Sequence, residues 1–103
     1  MADQATWKGS SGKEYIYSVY PINTEWNDAP GNYIFTKVVS TYWQQVYIGE
    51  TESFKDRLPT HNELPCVKRN GATHIHAHVN KDSKARLAEE QDLLKAHPTP
   101  CNG

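Results

Sequence analysis

The chain has 103 residues, with 11 Lys+Arg against 12 Asp+Glu and a formal net charge of -1 at pH 7. That length suits one domain with one compact core, and the near-neutral balance is unlike that of a non-specific nucleic-acid binder. No apolar run approaches the roughly 18 residues of a membrane span or the core of a signal peptide. We therefore expect one soluble, cytoplasmic domain over 1–103, with any nucleic-acid contact made by a local patch.

The N-terminal half predicts strands separated by turns. Residues 1–13 are polar and include a Ser-Ser-Gly run, which predicts a partly flexible segment. Glu14–Tyr20 is rich in tyrosine and β-branched residues, as strands are, and Pro21–Pro30 carries turn-forming residues. Gly31–Val39 and Trp43–Gly49 are strand-like runs whose spacing suits an antiparallel hairpin.

The C-terminal half mixes short helices with one more strand. Ser53–Leu58 predicts a short helix capped by its first residue and ended by the proline that follows, and Pro65–Asn70 predicts a further turn. Ala72–Val79 alternates strictly between histidines and apolar residues, as a half-buried strand does. A last helix begins near Asp82 and runs to about His97. The order predicts an α+β fold: a small antiparallel sheet flanked by helices.

The last helix carries an anomaly. Leu87, Leu93 and Leu94 form one apolar stripe, and Glu90 projects into its middle. Glu89 lies further round the helix, where we expect it to reach water. An ionised carboxylate facing a core costs several kcal/mol unless an arginine or a metal ion compensates. Two interpretations stay open: Glu90 reaches solvent at the edge of the stripe, or it is held at the rim of the core as a metal ligand.

Five features follow one another in a recognisable order. Gly31-Asn32-Tyr33 opens one strand and Tyr47-Ile48-Gly49 closes the next, followed by Arg57, Glu90 and Asn102. This pattern, from Gly31 to Asn102, resembles the GIY-YIG nuclease family, and most of all its small standalone bacterial members. The resemblance implies a central three-stranded antiparallel sheet flanked by helices, to which Glu14–Tyr20 would add a strand.

The resemblance also implies roles for these residues in a divalent-metal-dependent endonuclease. Tyr33 corresponds to the proposed general base, and Tyr47 to a tyrosine that hydrogen-bonds near the scissile phosphate or the attacking water. Arg57 corresponds to the arginine that stabilises charge on the phosphoryl group. Glu90 corresponds to the single carboxylate that binds Mg²⁺ or Mn²⁺, and Asn102 to an asparagine that braces the site.

Further residues complete the expected site. Gly49 would let the backbone pass close beneath the substrate. His61 follows Arg57 by four residues and would be a proton shuttle, although Pro59 interrupts the helix between them. The basic side chains expected to meet the DNA backbone are Lys55, Lys68 and Arg69. One such site cuts one strand, so we expect a monomer or a weak homodimer.

Two departures from the family pattern favour an alternative function. Asn32 stands where the first motif normally has an aliphatic residue, and by strand alternation it faces away from Tyr33. Glu50 adds negative charge directly after the second motif. These residues leave open a catalytically inactive module that keeps the fold for binding nucleic acid or protein.

The cysteines and histidines allow other sites. Cys66 and Cys101 are too few for a disulfide-stapled protein, so we expect reduced thiols. Together with His61 and His97 they would also suit a tetrahedral zinc site in a zinc-stabilised interaction protein. A second conceivable metal site is the strand face that carries His74, His76 and His78, although a polar sheet face explains these residues equally well.

Overall fold

The computed structural model describes residues 3–102 and contains one antiparallel sheet of five strands, in the order β1-β2-β5-β3-β4. The strands are β1 (Gln4–Lys8), β2 (Glu14–Pro21), β3 (Gly31–Val39), β4 (Tyr42–Thr51) and β5 (His74–Val79). The helices are α1 (Phe54–Arg57), α2 (Leu64–Arg69) and α3 (Ser83–Ala96), with a 3-10 turn at Leu58–Thr60. The predicted α+β class is confirmed. None of these helices has the length and apolar character needed to cross a bilayer.

The central hairpin agrees closely with the prediction. Strand β3 has the predicted bounds, whereas β4 is longer than Trp43–Gly49 at both ends. The turn is therefore reduced to Ser40 and Thr41, and Ser40 takes a positive φ of 59°. Strand β3 lies between β4 and β5 and pairs with both, so both of its edges are hydrogen-bonded, whereas β5 is the central strand of the five.

The N-terminal segment 1–13, which we expected to be partly flexible, contains a strand that the sequence did not predict. Residues Gln4–Lys8 form an edge strand, in which Trp7 pairs with Tyr15 of β2. The Trp7 indole N–H donates a 2.9 Å hydrogen bond to Nδ1 of the buried His76. A single large side chain thus anchors a strand whose polar composition hides it from sequence patterns. Residues 1 and 2 lie outside the described part of the chain.

The helices pack on opposite faces of the sheet. The face under α1 and α2, here called the tyrosine face, carries Tyr33, Phe35, Ile75 and Ala77. The face under α3, here called the α3 face, carries Tyr17, Ile34 and Ile48, which pack against Leu93. Consecutive residues of β3 therefore serve two separate cores.

The buried side of α3 differs from the predicted leucine stripe. The buried residues are Arg86, Glu89 and Leu93, whereas Leu87 is 50% exposed. Glu89, which we expected to reach water, is only 5% exposed. Glu90 lies beside this face and is half-buried. Both buried charged residues have partners, and a pattern built from apolar residues alone cannot anticipate them.

Those partners are side chains of the sheet. Glu89 accepts hydrogen bonds from the Tyr17 hydroxyl and from His78, whose Nε2 lies 2.6 Å from the carboxylate. Arg86 donates from Nε to Glu50 at 2.9 Å. Buried charges are tolerated when they are paired and hydrogen-bonded in this way.

The expected free thiols are absent, because Cys66 and Cys101 form a disulfide. Their Cα atoms lie 5.9 Å apart, although 35 residues separate them in sequence. The C-terminal tail is held along β4, where the Cys101 N–H donates to the Val46 carbonyl at 3.1 Å. The number of cysteines in the sequence does not show that these two lie close together. Because the two sulfurs are paired, they do not support the predicted reducing compartment.

Candidate active site

Tyr33 and Tyr47 lie side by side on the tyrosine face. They come from the paired strands β3 and β4, and their rings are stacked with centroids 6.2 Å apart. Gly49 pairs directly with Tyr33, and a Cβ atom there would lie 2.6 Å from the Tyr33 hydroxyl oxygen. Glycine is therefore required by the Tyr33 ring itself, which fills the space that we expected to admit substrate.

His61 joins the two tyrosines. Its Nε2 lies 2.7 Å from the Tyr33 hydroxyl oxygen, its ring meets Tyr47 edge-on at 4.8 Å, and it is 2% exposed. Pro59 does not prevent this placement, because it sits in the 3-10 turn that carries the chain from α1 to His61.

The backbone fixes the tautomer of His61. The Glu63 N–H donates to Nδ1 at 3.0 Å, so Nδ1 is an acceptor. In the neutral ring the proton then resides on Nε2, which donates to the Tyr33 oxygen. The hydroxyl proton of Tyr33 remains available for another acceptor.

Arg57 brings the positive charge. It lies in α1, whose first turn is capped by the Ser53 hydroxyl accepting from the Asp56 N–H at 3.2 Å. Its Nη2 donates to the Asn62 side-chain carbonyl at 2.8 Å, which orients the guanidinium fork. The charge acts on both phenols, since Arg57 opposes the increase in pKa that burial causes at Tyr33 and Tyr47.

The titratable groups are tuned mainly by burial. Burial raises the pKa of Tyr33 well above 10, and Tyr47 adds to the increase. Burial likewise raises the pKa of Tyr47. Burial and the neighbouring Arg57 lower the pKa of His61 to about 4. At neutral pH the site therefore holds protonated phenols, a neutral imidazole and one cationic guanidinium.

Glu90 comes from α3, on the other face of the sheet, and acts on the two tyrosines through its charge. Its negative charge raises the pKa of both Tyr33 and Tyr47. Burial, and then the charge of Glu50, raise the pKa of Glu90 itself, while hydrogen bonds from Gln91 and the Glu50 backbone oppose the increase. The carboxylate is thus poorly compensated.

No metal site is preassembled from several side chains in the described part of the chain. Within residues 3–102 no group of three or more His, Cys, Asp or Glu residues could hold an ion. Mg²⁺ needs only one or two carboxylates, completed by water and phosphate oxygens, and an added positive charge would relieve Glu90. The zinc hypothesis fails because its thiols are joined in the disulfide.

The three strand histidines do not form a metal site. His76 accepts from Trp7 and His78 bonds to Glu89, while His74 bonds to the Thr73 hydroxyl. They lie on the α3 face, where His76 and His78 take part in partly buried hydrogen bonds and His74 packs against Trp43. The polar-face interpretation therefore accounts for them.

The remaining predicted residues lie further out. Asn102 uses its side-chain amide on β4, accepting from the Ile48 N–H and donating to the Ile48 carbonyl, each at 2.8 Å. It therefore braces the strand next to Tyr47. The exposed basic side chains on α1 and α2 are Lys55, Lys68 and Arg69. A shallow cleft beside Arg57 is lined by Asp28, Glu52 and Asp56, which dilute this positive charge.

Sequence patterns missed some contributors to the site. Asn62 and the Glu63 backbone orient Arg57 and His61, and the only sequence signal is a polar run directly after a proline. Asn32 was expected to face away from Tyr33, and it donates to the Arg86 carbonyl on α3 at 2.9 Å.

Comparison of the chain with protein-family models, curated proteins and solved structures found no match.

Proposed function

We propose that this protein is a GIY-YIG-type endonuclease that hydrolyses DNA phosphodiester bonds with Mg²⁺ or Mn²⁺. The observation that carries the proposal is the 2.7 Å contact between Tyr33 and His61 beside Tyr47, where the charges of Arg57 and Glu90 act on both phenols. A phenol, a guanidinium and a carboxylate that influence one another are the groups needed for an assisted attack of water on phosphorus.

Tyr33 is the group proposed to accept the proton of the attacking water. As a phenolate, it is stabilised by the Nε2–H of His61 and by the charge of Arg57. Its raised pKa makes the phenolate scarce at neutral pH but strongly basic once formed. His61 therefore acts as a hydrogen-bond donor to Tyr33, in place of the proton shuttle suggested by its sequence position.

Arg57 and Tyr47 are proposed to act on the phosphate. The planar fork of Arg57, held by Asn62, suits two phosphate oxygens and offsets the charge that grows as the water oxygen bonds to phosphorus. Tyr47 is half-buried, so its hydroxyl can donate to the phosphate from the neighbouring strand. The bond from phosphorus to the leaving sugar oxygen then breaks.

Glu90 is the residue proposed to hold the divalent cation. When bound, such an ion supplies charge neutralisation at the phosphate and at the leaving oxygen. Glu90 is suited to this role because it is half-buried and has an incompletely compensated charge. Lys55, Lys68 and Arg69 would contact the DNA backbone, so binding should weaken steeply with salt.

A plasmid-nicking assay tests the proposal. The wild-type protein with Mg²⁺ should convert supercoiled plasmid to open circles, because one site cuts one strand, and a chelator should stop the reaction. Glu90→Gln should lower the rate by at least about 100-fold. Glu14→Gln, which changes an exposed carboxylate at the start of β2, should keep the wild-type rate. A folded wild-type protein without Mg²⁺-dependent nicking would refute the proposal, as would full activity in Glu90→Gln.

A second function is favoured by Glu50. Its negative charge lies beside Glu90, and its ion pair with Arg86 locks it there. This charge would oppose a phosphate and suits a catalytically inactive module that binds nucleic acid or protein. Fluorescence anisotropy with labelled DNA separates the two functions, because binding without any nicking in Mg²⁺ or Mn²⁺ supports the module.

A further inference from the structure

The lining of a cavity of about 140 Å³ includes none of the residues of the proposed active site. It lies between the loop that follows β2, the C-terminal end of β5 and the start of α1. Its aromatic wall consists of Tyr20, Trp26 and Phe54, and Val79 adds an apolar side chain that is 56% exposed. The proposed nuclease uses none of these side chains, whereas Phe54 belongs to the core under the tyrosine face and Tyr20 and Trp26 pack against it.

The aromatic rings form a corner. Tyr20 and Trp26 meet at 67° with centroids 5.1 Å apart, and Trp26 and Phe54 meet at 47° with centroids 5.5 Å apart. A planar nucleobase stacks best on parallel faces. Inclined faces suit a compact, roughly spherical group, which can touch more than one ring at once.

The charge around the cavity favours a cation. Glu25 is part of its lining, whereas no lysine or arginine is. The salt bridges among residues 3–102 join His78 to Glu89 and Arg86 to Glu50, so Glu25 is in neither. His78 also lines the cavity, but its Nε2 is already bonded to Glu89. An anion would therefore meet an acidic rim and electron-rich rings, and both would repel it.

We propose that this cavity binds an alkylammonium group, such as a trimethylammonium head group. The methyl groups would pack on the rings of Trp26 and Tyr20, which attract positive charge through their π-electrons. Glu25 would supply the opposite charge at the rim. The proposal is independent of the nuclease function, because it uses none of the groups assigned to cleavage.

Nuclear magnetic resonance of nitrogen-labelled protein tests the proposal. Choline should shift the indole N–H signal of Trp26 saturably, whereas those of Trp7 and Trp43, outside the cavity lining, should not move. Dimethylbutanol, the uncharged isostere of choline, should bind at least about five-fold more weakly. Equal binding of the two compounds would overturn the proposal, since the cavity would then be merely apolar.

Two matched substitutions locate the charge effect. Glu25→Gln should weaken choline binding about three-fold, while Glu52→Gln, outside the cavity lining, should not. Trp26→Leu should abolish binding, and unfolding curves would verify that this variant folds. Equal affinities in Glu25→Gln and Glu52→Gln would overturn the proposal.

The same titration distinguishes the source of the head group. If choline binds more tightly, the head group comes from a small metabolite. If an acetylated trimethyllysine amide binds more tightly, it comes from a modified lysine of another protein. Absence of any Trp26 shift with both compounds would overturn the proposal.

Discussion

The hydroxyl oxygen of Tyr33 and the Nε2 atom of His61 lie 2.7 Å apart in the core, although 28 residues separate them in sequence. The other nitrogen of the imidazole determines the direction of this hydrogen bond. The Glu63 N–H donates to Nδ1, so the proton of the neutral ring is on Nε2. His61 thus donates to Tyr33, and the proton of the phenol remains available for another acceptor. This relationship makes Tyr33 the first residue to test.

Tyr33→Phe should lower Mg²⁺-dependent plasmid nicking by about 100-fold or more, because it removes the group proposed to accept the proton from water. The variant should fold, losing only about 1 kcal/mol of stability with the hydrogen bond to His61. Tyr42→Phe is the matched control, since Tyr42 is 75% exposed at the hairpin tip. Unchanged nicking in Tyr33→Phe would exclude the proposed base.

Stability should fall as the solution becomes acidic. The pKa values of His61 and His76 are each lowered from 6.5 to about 4, chiefly by burial. The unfolded chain therefore binds protons that the folded protein does not bind between these values, which favours unfolding as pH falls. Each histidine should contribute a slope of up to about 1.4 kcal/mol per pH unit.

Urea unfolding at several pH values between 7 and 4 measures this slope. His61→Gln should reduce it by the contribution of one histidine, and the difference between wild type and variant cancels the effects of other groups. Parallel stability curves for the two proteins would contradict the lowered pKa of His61.

The adjacent residues Glu89 and Glu90 should respond in opposite ways. Glu89→Gln should cost about 1–3 kcal/mol, because it disturbs the buried hydrogen bonds from Tyr17 and His78. Glu90→Gln should leave stability unchanged or raise it, because the raised pKa of Glu90 means that its charge is disfavoured in the folded state. Chemical denaturation measures the free energy of unfolding of both variants. A larger loss in Glu90→Gln than in Glu89→Gln would contradict this prediction.

The disulfide should contribute substantially to stability. It closes a loop with a sequence separation of 35 residues, for which loop-closure entropy predicts about 4 kcal/mol. A dithiol reductant should lower the wild-type unfolding midpoint accordingly. The Cys66→Ser/Cys101→Ser double variant should already have the lower midpoint and should not respond to the reductant. If the reductant also lowered the unfolding midpoint of the double variant, its effect on the wild-type protein would not come from this disulfide.

The sequence predicts much of the sheet because its strands follow simple alternation. The strand at His74–Val79 alternates histidine and apolar residues, the central hairpin is rich in β-branched and aromatic residues, and Ser53 has the chemistry of a helix cap. Edge strand β1 escapes prediction because one residue, Trp7, anchors it. Its partner His76 comes from a distant part of the chain, which no local pattern includes.

Helix α3 shows why part of the candidate site could not be predicted. Its buried face consists largely of Arg86 and Glu89, which periodicity assigns to solvent. Burial of each depends on a partner brought by another strand, Glu50 for Arg86 and Tyr17 for Glu89. By contrast, motif spacing does select Tyr33 and Tyr47, because adjacent paired strands must bring them together.

The tail that lies along β4 gives the sheet two unlike ends. At one end Asn102 occupies backbone groups of Ile48 to which another polypeptide would otherwise pair. At the other end, within residues 3–102, β1 has a neighbour on one side only. Sheet extension by a foreign strand, including growth into fibrils, is therefore directed to the β1 border, and a charged substitution on β1 is the change that would discourage it.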